Sequence, residues 1–285
     1  MAKTDCPRCE GTGWKPVEPQ GSDGVRRVER CSCNEAQRFD ELLRRARIPR
    51  RYEHCTFETF NIRKDRESGR PNASLSTAKL WAERFVEEYP TDFGLLFVGT
   101  TGVGKTHLAV AVLRELMIRK GVPSLFYDFR DLLQEIRESY NPVSQASEFS
   151  VVAPVLDAEV LLLDEMVAAN PSDWVKETLA HLINSRYNQK KATLITTTLP
   201  LGETSRRAAS ITAPVARSSP GSAPGESRAA PRAPSGESIP SLDRSLDQFG
   251  VTLSSRLYEM CKLVEMKSDD FRKAIKQAGY RFHAE

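Results

Sequence analysis

The sequence predicts an α/β fold, in which a five-stranded parallel sheet lies between two layers of helices. Short apolar runs alternate with amphipathic segments between residues 93 and 200, which is the pattern of β-α-β units. A glycine-rich segment, "GTTGVGKT", follows one of these runs and opens an amphipathic segment, as a phosphate-binding loop requires. A chain of 285 residues has room for one large domain or for two unequal ones.

Five apolar runs are the predicted strands, and helical spacing of apolar side chains predicts the helices that connect them. The strands are predicted at Phe93–Val98, Ser124–Tyr127, Val160–Leu163, Thr193–Thr197 and Leu263–Met266. The connecting helices are predicted at Thr106–Lys120, Arg130–Tyr140 and Asp173–Gln189. Two more helices are predicted upstream, over "EAQRFDELLRRARI" and "LSTAKLWAERFVEEY", and each is stopped by a proline, Pro49 or Pro90.

Composition divides the chain into four regions. Residues 1–34 carry four cysteines and few large apolar side chains, and residues 35–92 form a helical linker before the core. The α/β core is predicted over residues 93–202 and 244–285. Residues 203–243 are rich in Ser, Pro, Ala, Gly and Arg and contain no aromatic residue. Such a segment cannot bury enough apolar surface to offset its chain entropy, so it is predicted to be a disordered insertion.

The composition excludes some classes of protein and leaves others open. Hydrophobic residues make up 40% of the chain and charged residues 28%, which is ordinary for a globular protein. No apolar run reaches the roughly 18 residues of a membrane span, and the N-terminus lacks the apolar core of a secretory signal. A cytoplasmic protein without a membrane partner is therefore expected. The net charge of +3 is too small to indicate a partner.

The strongest chemical signal is the phosphate-binding pattern G-x-x-x-x-G-K-[ST]. Its glycines let backbone N–H groups curl around phosphate oxygens without a clash from Cβ atoms. Lys105 is expected to reach the outer phosphates, and the Thr106 hydroxyl is expected to be a ligand of Mg²⁺. The residues expected to bind phosphate are Gly99, Thr100, Thr101, Gly102, Val103, Gly104, Lys105 and Thr106.

Two carboxylates follow the apolar run "VLLL", and they complete the predicted phosphate site. A carboxylate at the carboxyl end of a buried parallel strand, beside a phosphate loop, lies where Mg²⁺ must be held. Asp164 is the expected Mg²⁺ ligand, directly or through water, and Glu165 is the expected base that orients the attacking water. The two acids in this order favour hydrolysis over binding alone, although a pair of solvated carboxylates is the alternative.

Two further candidates lie later in the chain. The strand in "KATLITTTLP" ends in hydroxyls, and Thr197 or Thr198 can contact the outermost phosphate or the attacking water. Threonine is also simply a good strand former, so this prediction stays open. Arg256, on the helix after the insertion, is a candidate arginine finger for a neighbouring subunit. The alternative is an ordinary surface arginine.

The four N-terminal cysteines have the spacing of a zinc site. Cys6, Cys9, Cys31 and Cys33 form C-x-x-C and C-x-C pairs that flank a gap able to fold as a hairpin. Structural Zn²⁺ is the preferred prediction, and a redox pair or a chance pattern are the alternatives. The glycines of "CPRCEGTG" count against the redox pair, which would open a helix. Cys55 and Cys261 stand alone and are expected to be buried.

The core segments together resemble the AAA+ ATPases of the bacterial replicative helicase-loader group, the DnaC-like proteins. The segments are "GTTGVGKTHLAVAVLREL", "VLLLDEM", "LITTTLP" and "SSRLYEMCKLVEMKSDDFR". IstB-like transposition helpers share much of this core. The resemblance covers about residues 45–200 and 246–275, and the N-terminus resembles the zinc-binding module with which loaders contact the helicase.

The resemblance implies a three-layer P-loop AAA+ domain that binds ATP and Mg²⁺ between the subunits of a homo-oligomer. It implies catalytic roles for Lys105, Glu165 and Thr198, and for Arg256 as a finger in trans. Nucleotide state would then control the grip on single-stranded DNA and on the replicative helicase. Arg130 and Arg137 would lie near the DNA path, although solvated helix charges are the simpler interpretation.

One departure from the family pattern leaves the function partly open. The family usually carries Asn where this chain has Thr198, and a single hydroxyl can position water less well than a carboxamide. We therefore expect a helicase loader in DNA replication, with a transposition helper as the first alternative. A nucleotide-gated binding module with little turnover is the second alternative. A chaperone cysteine-rich module would need several C-x-x-C-x-G-x-G copies, and the chain has one.

Overall fold

The structure is a computed structural model, and it describes residues 6–17, 27–64, 69–141, 147–166, 171–198 and 246–273. The predicted insertion at residues 203–243 lies outside these residues. In chain order the elements are β1 (Trp14–Val17), β2 (Arg27–Arg30), α1 (Ser32–Arg45), α2 (Ala73–Glu88), β3 (Gly94–Gly99), α3 (Lys105–Glu115), β4 (Ser124–Asp128), α4 (Phe129–Ser139), α5 (Glu148–Asp157), β5 (Val160–Asp164), α6 (Asp173–Asn188), β6 (Ala192–Thr198), α7 (Val251–Met260) and β7 (Cys261–Met266).

Strands β3 to β7 form one five-stranded sheet in the order β4-β5-β6-β3-β7. Every neighbouring pair in this sheet is parallel, which confirms the predicted fold class. Strand β3 lies between β6 and β7, so the loop that follows it leaves from the interior of the sheet. The carboxyl ends of β3, β5 and β6 share one edge, where ligands bind in open parallel sheets.

Side-chain alternation along β3 produces the two covering layers. Leu95 and Phe97 pack in a cluster with the apolar faces of α2 and α3. Leu96 and Val98 point to the opposite face and pack with α4, α5, α6 and α7. All six residues of β3 are buried, as expected of a strand covered on both faces. The three-layer arrangement is therefore a direct result of the two-residue period of the strand.

Several helix limits differ from the predicted ones. Helix α1 ends at Arg45, earlier than predicted, because Arg47 adopts a positive φ of 57° and Pro49 disfavours helix before it. It begins at Ser32, so the predicted boundary between residues 34 and 35 falls inside a helix. The helix after the phosphate loop changes at Leu116 to a wider π-helical turn, which ends at Gly121. Helix α5 was not predicted.

Local sequence sets the start of most core helices. Side-chain oxygens of Asn72, Asp128, Ser147 and Ser172 accept hydrogen bonds from backbone N–H groups in the first turns of α2, α4, α5 and α6. Helix α3 differs, because its first N–H groups follow Gly104 and have no side-chain cap. These free donors at the start of α3 remain available to an anion.

Candidate functional site

The P-loop, residues 99–106, connects the end of β3 to the start of α3. Two of its glycines are required by the backbone, since Gly102 has a φ of +79° and Gly104 a φ of +102°. A Cβ atom on Gly102 would lie 1.9 Å from Asp270 Oδ1, and one on Gly104 would lie 2.7 Å from Phe60 Cε2. The loop is therefore enclosed by neighbours that leave no room for a side chain at either position.

Lys105 begins α3 and turns back across the P-loop. Its ammonium donates hydrogen bonds to the carbonyl oxygens of Gly99, at 3.1 Å, and Thr100, at 3.0 Å. Burial lowers the pKa of Lys105, while the carboxylates of Glu165 and Asp164 act in the opposite direction. The amine is therefore a buried donor that neutral carbonyls hold in place, beside the space that a phosphate would occupy.

The two predicted Mg²⁺ ligands, Thr106 and Asp164, are in direct contact. Thr106 Oγ1 donates to Asp164 Oδ1 at 2.8 Å, and Thr196 Oγ1 donates to the same oxygen at 2.7 Å. Burial raises the pKa of Asp164, and both hydroxyl bonds lower it. Hydroxyl and carboxylate oxygens are the ligands that Mg²⁺ prefers, so these residues fit the ion. Sequence reasoning did not identify Thr196. Its contact with Asp164 depends on the pairing of β6 with β5, which places the two residues side by side.

Glu165 has a strained backbone and a fixed side chain. Its φ is +55°, which is uncommon for a residue with a Cβ atom. Its backbone N–H donates to Thr196 Oγ1 at 2.8 Å, and its carboxylate accepts a bond from Thr198 Oγ1 at 2.7 Å. Thr197 points elsewhere and donates to the carbonyl of Met166. Of the two threonines considered, Thr198 is therefore the one that touches the predicted base.

A cavity of about 670 Å³ lies over the P-loop, and this volume is in the range of small-molecule sites. Glu165 and Thr198 line it from the edge of the sheet. Two other walls come from the lead-in segment, residues 50–63, and the C-terminal segment, residues 267–273. The lining residues from these two segments are Arg51, Tyr52, His54, Cys55, Thr59, Phe60, Asn61, Arg63, Ser268, Asp269, Phe271 and Arg272. Sequence reasoning assigned no site role to either segment.

The C-terminal segment is bonded directly to the P-loop and to the lead-in segment. The backbone N–H of Phe271 donates to Gly102 O at 3.0 Å, and Arg63 donates to Phe271 O at 3.2 Å. The Arg63 guanidinium also lies over the Phe271 ring, 4.5 Å from its centre. This packing positions Arg272 on the cavity wall, where its charge faces the same space as Lys105. No sequence pattern marks Arg272, because it follows the last strand in an otherwise polar segment.

Arg256 does not reach this cavity within its own chain. It lies on α7, half-buried, and donates to Asn184 Oδ1 on α6. Its guanidinium is 5.9 Å from the centre of the Tyr187 ring. The structure therefore places this predicted catalytic residue on the α6–α7 surface, away from the other three.

Arg130 and Arg137 are exposed on α4, but only Arg137 joins a cluster. Its guanidinium lies 5.1 Å from the centre of the Trp174 ring. Trp174 is also in edge contact with Tyr140, with the ring centres 6.5 Å apart. Tyr140 is 51% exposed, so the cluster presents an aromatic face beside a cation.

The four N-terminal cysteines converge in space. Cys6 Sγ lies 3.7 Å from Cys31 Sγ, and Cys9 Sγ lies 3.4 Å from Cys33 Sγ. Tetrahedral zinc with Zn–S bonds of about 2.3 Å separates its sulfurs by about 3.8 Å, so the cluster fits the ion. A hydrogen bond from the Arg8 backbone lowers the pKa of Cys6 to about 6, which favours the thiolate that a metal requires.

Local structure brings the two cysteine pairs together. Strands β1 and β2 pair antiparallel, which confirms the predicted hairpin, and the backbone N–H of Cys31 donates to Gly13 O at 2.9 Å. The predicted turn in "EPQGSDG" lies outside the described residues. Cys31 immediately precedes α1 and Cys33 lies in its first turn, so the positive end of the helix faces the sulfurs.

The strand order, the P-loop after β3 and the acidic pair after β5 define a P-loop protein with the AAA+ fold. Comparison with family models agrees with this class. The model described as "IstB-like ATP binding protein" matches residues 28–210 of the chain. The chain therefore belongs to the IstB-like ATP-binding protein family, in the DnaC/IstB-like group of AAA+ proteins.

Individual relatives include helicase loaders. The chain is 26% identical over 161 residues to the replicative helicase loader DnaC of Escherichia coli K12, which is 56% of this chain and 62% of that protein. DnaC of Buchnera aphidicola from Schizaphis graminum is also 26% identical, over 160 residues. A crystal structure of the DnaC helicase loader has 27% identity and a TM-score of 0.57, with coverage of 77% of this chain and 100% of that one. The match thus spans about 62% of the length of these curated relatives.

None of the helices in the described part of the chain has both the length and the apolar character needed to cross a bilayer.

Proposed function

We propose that this protein is an ATP-dependent helicase loader of DNA replication, which binds ATP with Mg²⁺, single-stranded DNA and the replicative helicase. The observation that carries the ATPase part of the proposal is the contact set Thr106–Asp164 and Thr198–Glu165 beside the P-loop. Similarity to DnaC loaders over the core supports this assignment. A cytoplasmic location follows from the partners.

The chain's own residues account for the steps of ATP hydrolysis. The P-loop N–H groups and Lys105 would hold the phosphates, and Thr106 and Asp164 would hold Mg²⁺. When bound, Mg²⁺ supplies positive charge against the oxygens on which negative charge develops. Glu165 accepts a proton from the attacking water, and Thr198 orients the Glu165 carboxylate through its 2.7 Å bond. Arg272 adds a positive charge on the cavity wall.

Single-stranded DNA has a candidate surface in the Arg137–Trp174–Tyr140 cluster. Aromatic faces stack on unpaired bases and a neighbouring arginine attracts the phosphate chain, without dependence on base sequence. Arg130 lies about two turns earlier on the exposed side of the same helix and can add a further phosphate contact. The competing interpretation, that these are solvated helix charges, applies better to Arg130 than to Arg137, because within the described residues Arg130 lies over no aromatic ring.

The direct test is a pull-down of the cell's replicative helicase by the full chain, with and without ATP, together with ATPase assays. We expect ATP-dependent retention of the helicase by the wild type and loss of that dependence in Lys105→Ala. We also expect single-stranded DNA to change the ATPase rate more than duplex DNA of equal length. Retention of neither helicase nor DNA would overturn the loader assignment.

The IstB-like family match favours one second candidate, a transposition helper ATPase. Capture of a transposase in place of the helicase would reverse our preference. The cysteine cluster argues for the loader, because the resemblance links such a module to helicase contact. A nucleotide-gated module with little turnover is the third possibility, and it predicts ATP-dependent binding with no measurable hydrolysis.

We also propose that Cys6, Cys9, Cys31 and Cys33 hold a structural Zn²⁺. Their side chains pack with one another, separately from the two core clusters, so the metal has to stabilise a segment with little apolar core. Chelation should therefore raise hydrogen exchange over residues 6–33 while the amides of β3 to β7 stay protected. Exchange mass spectrometry with elemental analysis checks this, and a zinc-free native protein would contradict it.

A further inference from the structure

A second group of metal-binding side chains lies outside both sites described above. His54, Cys55 and His107 each offer one ligand atom, and these atoms all lie within 4.8 Å of one another. His54 and Cys55 belong to the lead-in segment, and His107 follows the P-loop in the first turn of α3. All three residues line the cavity, so an ion can reach the cluster from solvent.

The surrounding hydrogen bonds hold the three residues in place. His107 Nε2 lies 2.9 Å from the carbonyl oxygen of Thr56, which can only accept, so Nε2 carries the proton. The lone pair of the neutral ring is then on Nδ1, which is the nitrogen that would bind a metal. A histidine that donates its other N–H to a backbone carbonyl is the usual arrangement of a metal ligand. Thr59 also fixes the lead-in turn, because its hydroxyl donates to His54 O at 2.8 Å.

We propose that His54, Cys55 and His107 form an open site for a divalent transition-metal ion of the zinc class. Tetrahedral coordination places nitrogen and sulfur ligands about 3.3–3.8 Å apart, so small side-chain rotations bring these atoms into position. Imidazole and thiolate ligands select zinc-like ions over Mg²⁺, which distinguishes this site from Thr106 and Asp164. Three protein ligands leave the fourth position to water from the cavity.

An ion bound at this position would affect the structure of the neighbouring P-loop site. Two ligands come from the lead-in segment and the third is adjacent to Thr106 in the chain. A bound ion would therefore tie the lead-in wall of the cavity to the first turn of α3. Hydrogen bonds already connect these two elements, because His107 Nε2 contacts the carbonyl oxygen of Thr56 and the hydroxyl of Thr59.

Cobalt(II) titration of the full chain in a phosphine reductant tests the proposal. We expect His54→Asn to bind one equivalent less than His181→Asn, a matched change of an exposed histidine on α6. His54 is itself exposed, so its replacement leaves the core intact. The cobalt that His54→Asn no longer binds has a single thiolate ligand, so its charge-transfer absorbance should be about a quarter of that of a four-cysteine site. Excess Mg²⁺ should not displace this cobalt.

A second pair of variants covers the thiolate ligand. Cys55→Ser should also lose one equivalent, and Cys261→Ser, a change of another buried cysteine, should lose none. Equal cobalt stoichiometry in His54→Asn and His181→Asn would overturn the proposal. The comparison counts a difference of one equivalent, so it stands whether or not the N-terminal cluster also binds metal. It uses no nucleotide, so it is independent of the loader assignment.

Discussion

At the scale of single residues, the two carboxylates that follow β5 have opposite surroundings. Asp164 is 2% exposed and accepts two hydroxyl bonds, while Glu165 faces the cavity through a backbone with a φ of +55°. This contrast agrees with the proposed roles of Asp164 as a ligand of Mg²⁺ and of Glu165 as the base that contacts water. Burial of an ionised group without its counter-ion costs stability. The buried carboxylate of Asp164 is therefore expected to lower the stability of the fold because its function requires it.

Asp164→Asn should stabilise the nucleotide-free protein at neutral pH. Burial raises the pKa of Asp164 in the fold, so folding favours the protonated acid and stability is lost as pH rises through that pKa. Asparagine is neutral and can still accept from Thr106 and Thr196. We expect the melting temperature to rise by about 2–4 °C, which corresponds to about 1 kcal/mol. The gain should shrink at acidic pH, and scanning calorimetry at several pH values measures it.

The same variant has a built-in control. ATP with Mg²⁺ should raise the melting temperature of the wild type more than that of Asp164→Asn, because the charged carboxylate holds the ion more tightly than a neutral amide oxygen does. Equal stabilisation of both proteins by ATP with Mg²⁺ would show that Asp164 is not the ligand.

Thr198→Asn should at least double the steady-state ATPase rate. A carboxamide offers both an acceptor and donors, so it can hold water and the Glu165 carboxylate at once. Thr198→Val keeps the size of the side chain and removes the 2.7 Å bond to Glu165, and we expect it to be slower than the wild type. An unchanged rate in Thr198→Asn would argue that Thr198 already supports full hydrolysis.

At the scale of elements, one buried arginine connects three of them. Arg186 on α6 is 0% exposed and donates to the carbonyl oxygens of Val155, Ala158 and Ala192 and to the hydroxyl of Thr193. These bonds join α6 to the end of α5 and the start of β6. Burial lowers the pKa of Arg186 to about 10, and the group stays charged at neutral pH.

Arg186→Ala should be strongly destabilising, because it leaves buried carbonyls without donors and opens a cavity. We expect a loss of about 3 kcal/mol in the free energy of unfolding, measured by urea denaturation. Arg130→Ala, an exposed change on α4, should alter stability by less than about 0.5 kcal/mol. A loss of similar size in both variants would contradict the structural role given to Arg186.

At the scale of the whole molecule, the proposed catalytic residues lie on two separate surfaces. Lys105, Glu165 and Thr198 meet at the cavity, and Arg256 lies on the α6–α7 surface with Asn184. Arg272 lines the cavity of its own chain, whereas Arg256 could reach a nucleotide only in a neighbouring copy. The proposed role of Arg256 therefore depends on a homo-oligomer.

Mixing two inactive variants tests this requirement. Arg256→Ala and Glu165→Gln should each lose ATPase activity by about tenfold or more, since an arginine finger contributes a large factor to the rate. An equimolar mixture should recover part of the activity, because some interfaces combine an intact Glu165 with an intact Arg256. Each variant should still bind ATP in a filter assay. A mixture no more active than its components would place the finger elsewhere, and Arg272→Ala is then the next variant to measure.

Elements whose apolar residues form a continuous run or recur with a regular spacing were predictable from the sequence. The β3 run "GLLFVG" is apolar throughout, and the helices of the core have apolar spacing that identifies them. Helix α5 was not predicted from the sequence because it contains Pro154 and its apolar residues lack a clear helical spacing. The limits of α1 depended on Arg47, and no sequence rule assigns a positive φ to an arginine.

The fold class, the P-loop, the acidic pair and the cysteine spacing could be predicted from the sequence alone, because each is a pattern of residue types along the chain. The folded arrangement of the chain was needed to show which threonine touches Glu165, that Thr196 supports Asp164, and that Arg272 and the lead-in segment close the cavity. It also brought His107 beside His54 and Cys55. These contacts join segments tens to hundreds of residues apart, and strand order and packing set their distances, which no local pattern encodes.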